Sequence, residues 1–361
     1  MTDSRTENFT GTAPVREAHR FDEIKLAAYM QDHVQGYAGP LNIEQFRGGQ
    51  SNPTYKLITP RKNYVLRRKP PGQLVSGAHA VEREYQVITA LGQHTSVPVA
   101  QTYALCTDET ILGTWFYIMD CVEGRVFWNP TFPGVSRDER PLYFDAMNAT
   151  LAALHSVEYS AIGLADFGKP GNYFARQIGR WSKQYLADTD AGRIDAMDRL
   201  VEWLPANIPA GEDSAIAHGD YRCDNMIFHP TEPKVLAILD WELCTIGHPL
   251  ADFTYHLMMY RMPPVATVGL LGEDLQALNI PDEATYVKHY CARTGRRGID
   301  NLDFYTAYNM FRLAAIIHGI RGRVLRGTAA SAHAVAMSAA VEPLAKLAWA
   351  EALKAQNHAQ F

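Results

Sequence analysis

The chain is poor in cysteine, and what it has is scattered. Cys106, Cys121, Cys223, Cys244 and Cys291 show no C-x-x-C spacing. That excludes a zinc ribbon or a dithiol redox motif and points to reduced thiols in a cytoplasm. No stretch reaches the roughly 18 uninterrupted apolar residues that a spanning helix needs, so no membrane span is expected. The polar start, Met1-Thr2-Asp3-Ser4, lacks the basic and apolar regions of a signal peptide. An excess of charge of one sign is missing too. Lys and Arg number 34 against 39 Asp and Glu, a net −5, so the chain as a whole attracts neither nucleic acid nor anionic membrane. Any binding of phosphates is therefore local. G-x-x-x-x-G-K-[ST] is absent, which excludes a P-loop.

What is present is 361 residues, 47% hydrophobic and 20% charged, enough for two sub-domains with cores of their own. Residues 1–20 are polar and without periodicity, and read as a poorly ordered tail. A helix is expected from Phe21 to Tyr37, with Leu26, Met30, Val34 and Tyr37 on one face. From Ile43 to Met119 short apolar and alternating runs read as strands: up to Phe46, Tyr55–Ile58, Tyr64–Arg68, Gln101–Cys106 and Ile111–Met119. After Pro141 the texture turns helical, with helices expected at 142–157, 173–186, 194–204, 282–293, 303–326 and 331–356. This gives an N-terminal lobe over 21–122 and a helical lobe over 123–361. The oligomeric state is not legible.

The stretch His218-Gly219-Asp220-Tyr221-Arg222-Cys223-Asp224-Asn225, with Asp240 closing the apolar run Val235–Leu239, carries the chemistry. An Asp with an Asn five positions on fits a loop in which the carboxylate accepts a hydroxyl proton and the amide oxygen binds Mg²⁺. Asp240 would be the second metal ligand. Each residue alone is explicable as a turn residue, but three together after apolar strands favour chemistry. Upstream, Gly48, Gly49, Ser51 and Asn52 lie in a loop between two strands, where glycines allow close approach to nucleotide phosphates; a plain hairpin turn is the alternative.

On Tyr64–Arg68, alternation sends Arg67 and Arg68 to opposite faces, so either could point inward. In the helix Ala78–Leu91, Glu84 falls inside the apolar stripe of Val81, Tyr85, Ile88 and Leu91, and a buried carboxylate needs a partner. An Arg67–Glu84 pair is expected, holding a cation over the nucleotide phosphates. The segment from Met119 through Cys121 could offer backbone groups to an adenine edge, or be a simple linker. Asp252 could brace the loop at 218–225 or simply complement a helix N-terminus. His155 reads as a packed or capping residue, and Arg312, Arg321, Arg323 and Arg326 could meet an anionic substrate or form a solvated helix end.

These residues carry a family likeness. His218-Gly219-Asp220 with Asn225, Leu239-Asp240-Trp241-Glu242 and Gly247-x-Pro249-x-x-Asp252 resemble the aminoglycoside phosphotransferase family, related to choline kinases and protein kinases. Gly49-x-Ser51-Asn52-Pro53-Thr54-Tyr55, the run Tyr64–Gly72 and His79-Ala80-Val81-x-Arg83-Glu84-Tyr85 look like the branch fused to acyl-CoA dehydrogenases. The resemblance covers about 46–326. It implies an α+β, bilobal protein-kinase-like fold with a small antiparallel β N-lobe, a larger mainly α-helical C-lobe, and ATP with Mg²⁺ in the cleft. It implies Asp220 as base, Asn225 and Asp240 as metal ligands, and Arg67 where most kinases carry Lys. Arg222 stands where protein kinases place a Lys that neutralises the transferring phosphoryl group. His248 replaces an Asp, and Arg222 a His, found in many aminoglycoside kinases, which weakens the inference of antibiotics as substrates. The implied activity is ATP-dependent phosphorylation of a small-molecule hydroxyl, with a (4-)hydroxyacyl-CoA as acceptor. An aminoglycoside- or choline-type kinase and a nucleotide-sensing pseudokinase are the alternatives. A flavin dehydrogenase is excluded for want of room.

Overall fold

The computed structural model describes residues 10–48, 52–72, 79–264, 269–329 and 332–358. They form two compact units, one of 1–128, 159–167 and 223–244, the other of 129–158, 168–222 and 245–361.

The first unit is built on a six-stranded antiparallel sheet of β1 (Thr12–Ala13), β2 (Asn42–Phe46), β3 (Thr54–Ile58), β4 (Tyr64–Arg68), β5 (Thr102–Cys106) and β6 (Phe116–Asp120). Its order is β1-β2-β3-β4-β6-β5. Alternation sets the burial of β2 and β3, where Ile43, Tyr55 and Leu57 point into the core. All five residues of β4 are buried, because both faces of this interior strand are covered. Helix α1 (Glu23–His33) starts at Asp22, whose carboxylate accepts from the amides of Ile24 and Lys25 at 3.0 Å each. It packs Leu26 and Met30 against Tyr55, Leu66, Phe116 and Ile118. Helix α2 (Val81–His94) buries Val81, Glu84, Val87, Ile88 and Leu91.

The described part of the 1–20 segment does not fit the expected tail. Thr12 and Ala13 pair with Phe46 and Gln45, and Arg16 N donates to Gln45 Oε1 at 3.1 Å. The free edge of β2 supplies partners that two residues can use without any periodicity. The expected strand Ile111–Met119 is also corrected. Asp108 caps Thr110 N at 2.9 Å and Gly113 ends a one-turn helix, Glu109–Leu112, in the left-handed region at φ +79°, so the strand begins only at Phe116.

A two-stranded ribbon, Met226–Phe228 against Val235–Ile238, completes the first unit. Arg125 and Phe228 exchange backbone hydrogen bonds of 2.8 Å, and Ile238 N donates to Pro98 O at 2.9 Å. Gly124 permits the approach, since a β-carbon there would lie 2.2 Å from Phe228 O. These bonds attach 223–244 to the sheet unit, although the sequence reading placed everything after 122 in the helical lobe.

The second unit is helical: α3 (Arg140–His155), α4 (Tyr173–Ala187), α5 (Asp195–Ala206), α6 (Pro249–Leu257), α7 (Glu283–Thr294), α8 (Leu302–Leu325) and α9 (Val341–His358). A short ladder pairs Ala215–Ala217 with Thr245–Gly247. All nine residues of α6 are buried, and α8 is buried without interruption from Phe304 to Arg312. Arg261 ties α7, α8 and α9 together, pairing with Glu283 and Asp303 at 2.7 Å and with Glu351. Among the described residues no helix is long and apolar enough to cross a membrane. Cys106, Cys121 and Cys291 carry free thiols.

Candidate active site

In the second unit, the strand Ala215–Ala217 delivers the chain into His218-Gly219-Asp220. Gly219 adopts φ +85°, a left-handed conformation that costs a glycine nothing and turns Asp220 out of the strand direction. The backbone of this turn is held from two helices. Asp252 on α6 accepts from His218 N at 2.7 Å and Gly219 N at 2.8 Å, and from His155 Nε2 at 3.1 Å. Burial works against this carboxylate, but His155 and the two amides hold it below the usual range. Of the two roles open to Asp252, bracing is therefore the one the geometry shows. His155, expected as a packed or capping residue, is packed between Asp252 and the Tyr290 hydroxyl, 2.7 Å from its Nδ1.

Arg312 on α8 donates to Gly219 O at 2.8 Å and is 8% exposed. It does not belong to a solvated helix end: it sits mid-helix, facing the loop, whereas Arg321 pairs with Glu342 and Arg326 with Asp188 and Asp190. The Asp220 carboxylate itself is gripped. Tyr255 donates its hydroxyl to Oδ1 at 2.5 Å, and the half-exposed Arg222 brings Nε to 3.5 Å from the same oxygen. Burial first, then the Asp220 charge, pushes the Tyr255 phenol far up, so it stays a donor.

In the first unit, Arg67 Nε lies 2.8 Å from Glu84 Oε2, and Nη2 donates to Asp240 Oδ1 at 2.7 Å. Glu84 is 1% exposed and also accepts from Asn52 Nδ2 at 2.8 Å and Tyr117 OH at 3.1 Å. Burial opposes the Arg67 charge, but Glu84 and Asp240 outweigh it and hold the guanidinium charged. The fork of Arg67 thus spans two carboxylates at once, which a single ammonium could not do with the same geometry. Arg68, on the opposite face of β4, stacks over Phe21 and donates to Thr114 Oγ1 at 2.9 Å.

Asp240 follows the ribbon in the left-handed region at φ +61°, which Asp tolerates better than most residues. Met226 is in register with Ile238 and Leu239 N donates to Asn225 O at 2.8 Å, so Asn225 and Asp240 come to the same end of the ribbon. An amide oxygen and a carboxylate are hard donors that fit Mg²⁺, which takes one or two carboxylates and completes its shell with phosphate and water. Among the described residues no group of three or more His, Cys, Asp or Glu is gathered to hold a metal.

Gly49 and Ser51 lie outside the described residues, while Gly48 follows β2 and is partly buried. Asn52 differs from its expected place on a phosphate-facing loop. It is fully buried, with Nδ2 on Glu84 and Oδ1 3.0 Å from His79 Nδ1, so its amide orients Glu84. Met119 on β6 is in register with Val65 on one side and Thr102 on the other, and Cys121 N donates to Asn63 O at 3.4 Å. Asp220 and Arg222 thus fall in one unit, and Arg67, Glu84, Asn52, Met119, Cys121, Asn225 and Asp240 in the other. Tyr255, Tyr117 and the bracing role of Arg312 were not foreseen.

A sheet unit bearing a buried Arg–Glu pair beside an Asn/Asp ribbon, and a helical unit bearing a braced His-Gly-Asp loop, are the parts of a kinase-like fold. Residues 42–287 match the model of the phosphotransferase enzyme family, and the chain belongs to that family. It is 40% identical over 346 residues to acyl-CoA dehydrogenase family member 10 of Mus musculus, covering 95% of this chain but 32% of that protein. Against acyl-CoA dehydrogenase family member 11 of Homo sapiens it is 38% identical, covering 92% of this chain and 43% of the relative. The chain therefore spans less than half the length of these relatives. A solved structure of a provisionally assigned aminoglycoside phosphotransferase from Ralstonia eutropha is 52% identical, with a TM-score of 0.86 over 93% of this chain and 99% of that one.

Proposed function

We propose that the protein transfers the γ-phosphoryl group of ATP to a hydroxyl of a small molecule, with a hydroxyacyl-CoA, such as a 4-hydroxyacyl-CoA, as acceptor. The observation that carries the reaction is the loop at Asp220: its backbone is fixed by Asp252 and Arg312 and its carboxylate is held by Tyr255 and Arg222. A base so held suits a reaction that depends on positioning more than on covalent chemistry.

Asp220 accepts the acceptor's hydroxyl proton. The alkoxide oxygen forms a bond to the γ-phosphorus as the bond to the β–γ bridging oxygen breaks, and the electron pair leaves with ADP. Arg222 offsets charge on the moving phosphoryl group. Arg67, fixed by Glu84, supplies a cation to the nucleotide phosphates. Asn225 and Asp240 would hold Mg²⁺, which when bound neutralises charge on the β- and γ-oxygens.

The acyl-CoA class is supported by the relatives, whose names place this type of chain within acyl-CoA dehydrogenase family proteins. Antibiotic acceptors have weaker support: spectinomycin phosphotransferase is 13% identical at a TM-score of 0.62, a likeness of fold alone.

The test is ADP release from Mg·ATP or Mg·GTP over a panel of hydroxyacyl-CoAs, amino alcohols and aminoglycosides. Turnover with hydroxyacyl-CoA is expected. Asp220→Ala should lower it by about 10²-fold or more with nucleotide binding retained, whereas Asp240→Ala should lose Mg²⁺-dependent nucleotide binding as well. No turnover with any acceptor, or equal loss of nucleotide binding in both variants, would overturn the assignment.

A further inference from the structure

We propose that Tyr255 is a positioning residue for the reaction, its hydroxyl fixing the rotation of the Asp220 carboxylate; this rests on Asp220 being the base. An aspartate carboxylate rotates in a broad, roughly two-fold well about its last torsion. Left to itself it would present either oxygen, or neither, to an incoming hydroxyl. One short hydrogen bond from a rigid donor removes that freedom, and at 2.5 Å the Tyr255–Asp220 contact has the length of a charge-assisted O–H···O⁻ bond.

The donor is rigid for reasons written into α6 and α8. Tyr255 lies one turn from Asp252 on α6, so the same helix holds the loop's amides and its catalytic carboxylate. Its ring is 9% exposed, and the Arg312 guanidinium sits over it at 5.1 Å while bonding Gly219 O. Three groups thus act in concert on three successive residues: Asp252 on His218 and Gly219, Arg312 on Gly219, Tyr255 on Asp220. The charges facing the Tyr255–Asp220 pair are Arg222 from the loop itself and Arg312 from α8, both cationic.

Tyr255 exchanges no proton with the substrate. It sets which way Asp220 faces.

The decisive variant is Tyr255→Phe, which keeps the ring under Arg312 and removes only the hydroxyl, compared with Tyr255→Ala, which removes both. The protein is assayed by ADP release from Mg·ATP with the panel acceptor giving the highest wild-type turnover, alongside thermal melting and Asp220→Ala. Tyr255→Phe should lower kcat about tenfold to a hundredfold and keep KM for ATP within about twofold. Wild-type kcat in Tyr255→Phe, with loss confined to Tyr255→Ala, would overturn the inference and leave Tyr255 a packing residue. Asp220→Ala retaining turnover, or no wild-type turnover with any acceptor, would instead remove the base and the inference with it.

Discussion

Replacing Glu84 with Gln tests the centre of the sheet unit. The substitution keeps shape and removes charge. In the wild type, Oε1 accepts from Asn52, and Oε2 meets Tyr117 and Arg67 Nε. A Gln can satisfy one of these sides with its oxygen, but its amide nitrogen then faces donors on the other. Arg67, 8% exposed, keeps Asp240 at 2.7 Å and Glu242 only at 3.8 Å. Breaking a buried pair from one side costs about 3–5 kcal/mol. At roughly 2 °C per kcal/mol for a chain of this size, Glu84→Gln should melt about 6–10 °C below wild type. Differential scanning calorimetry is the assay. A second variant, Arg67→Met with Glu84→Leu, removes both charges. It leaves Asp240, whose side chain is 35% exposed, to water, so it should be less destabilised than the sum of its single variants by about 2 kcal/mol. A Glu84→Gln melting point within about 1 °C of wild type, or strict additivity in the cycle, would refute the reasoning.

Two further outcomes are expected. Asp252→Ala strips two buried amides and His155 of their acceptor, which should cost about 2–4 kcal/mol in urea unfolding and lower kcat; unchanged stability would count against the brace. His248 and His256 are pushed down by burial from 6.5 to about 4. Their folded values lie below the unfolded one, so between about pH 6.5 and pH 4 the unfolded chain takes up the protons and stability falls as pH falls. Each contributes a loss of about 2 kcal/mol by pH 5, and His256→Gln should flatten the dependence of melting temperature on pH over that window. An unaltered slope would sink the assignment of the effect to His256.

The parts of the site that were legible share a cause. Glu84 lay in an apolar stripe at helical phase, so its burial and need for a cation followed from spacing. The choice between Arg67 and Arg68 did not follow, because β4 is covered on both faces and alternation distinguishes faces only when one is wet. Tyr255 and Arg312 were hidden for a related reason: α6 and the first half of α8 are buried all round, so no polar stripe marks out a functional residue. The only trace is Tyr255 one turn after Asp252. Asn52 was misplaced because loop composition says which residues can turn, and not which way an amide points. The strand at Thr12–Ala13 and the single turn at Glu109–Leu112 are shorter than any period that could reveal them.

The sheet unit is assembled from three separate pieces of chain, with residues 223–244 returning to it only after the helical unit has supplied the strand and turn before them. Neither unit can therefore be cut out as one continuous fragment. A truncation after Trp128 would yield a sheet without its Asn225 and Asp240 ribbon, and a fragment starting at Asn129 would carry that ribbon away from Pro98 and Arg125, to which it bonds. Exchanging the helical unit between relatives therefore calls for replacing segments on either side of 223–244, with that ribbon left in place.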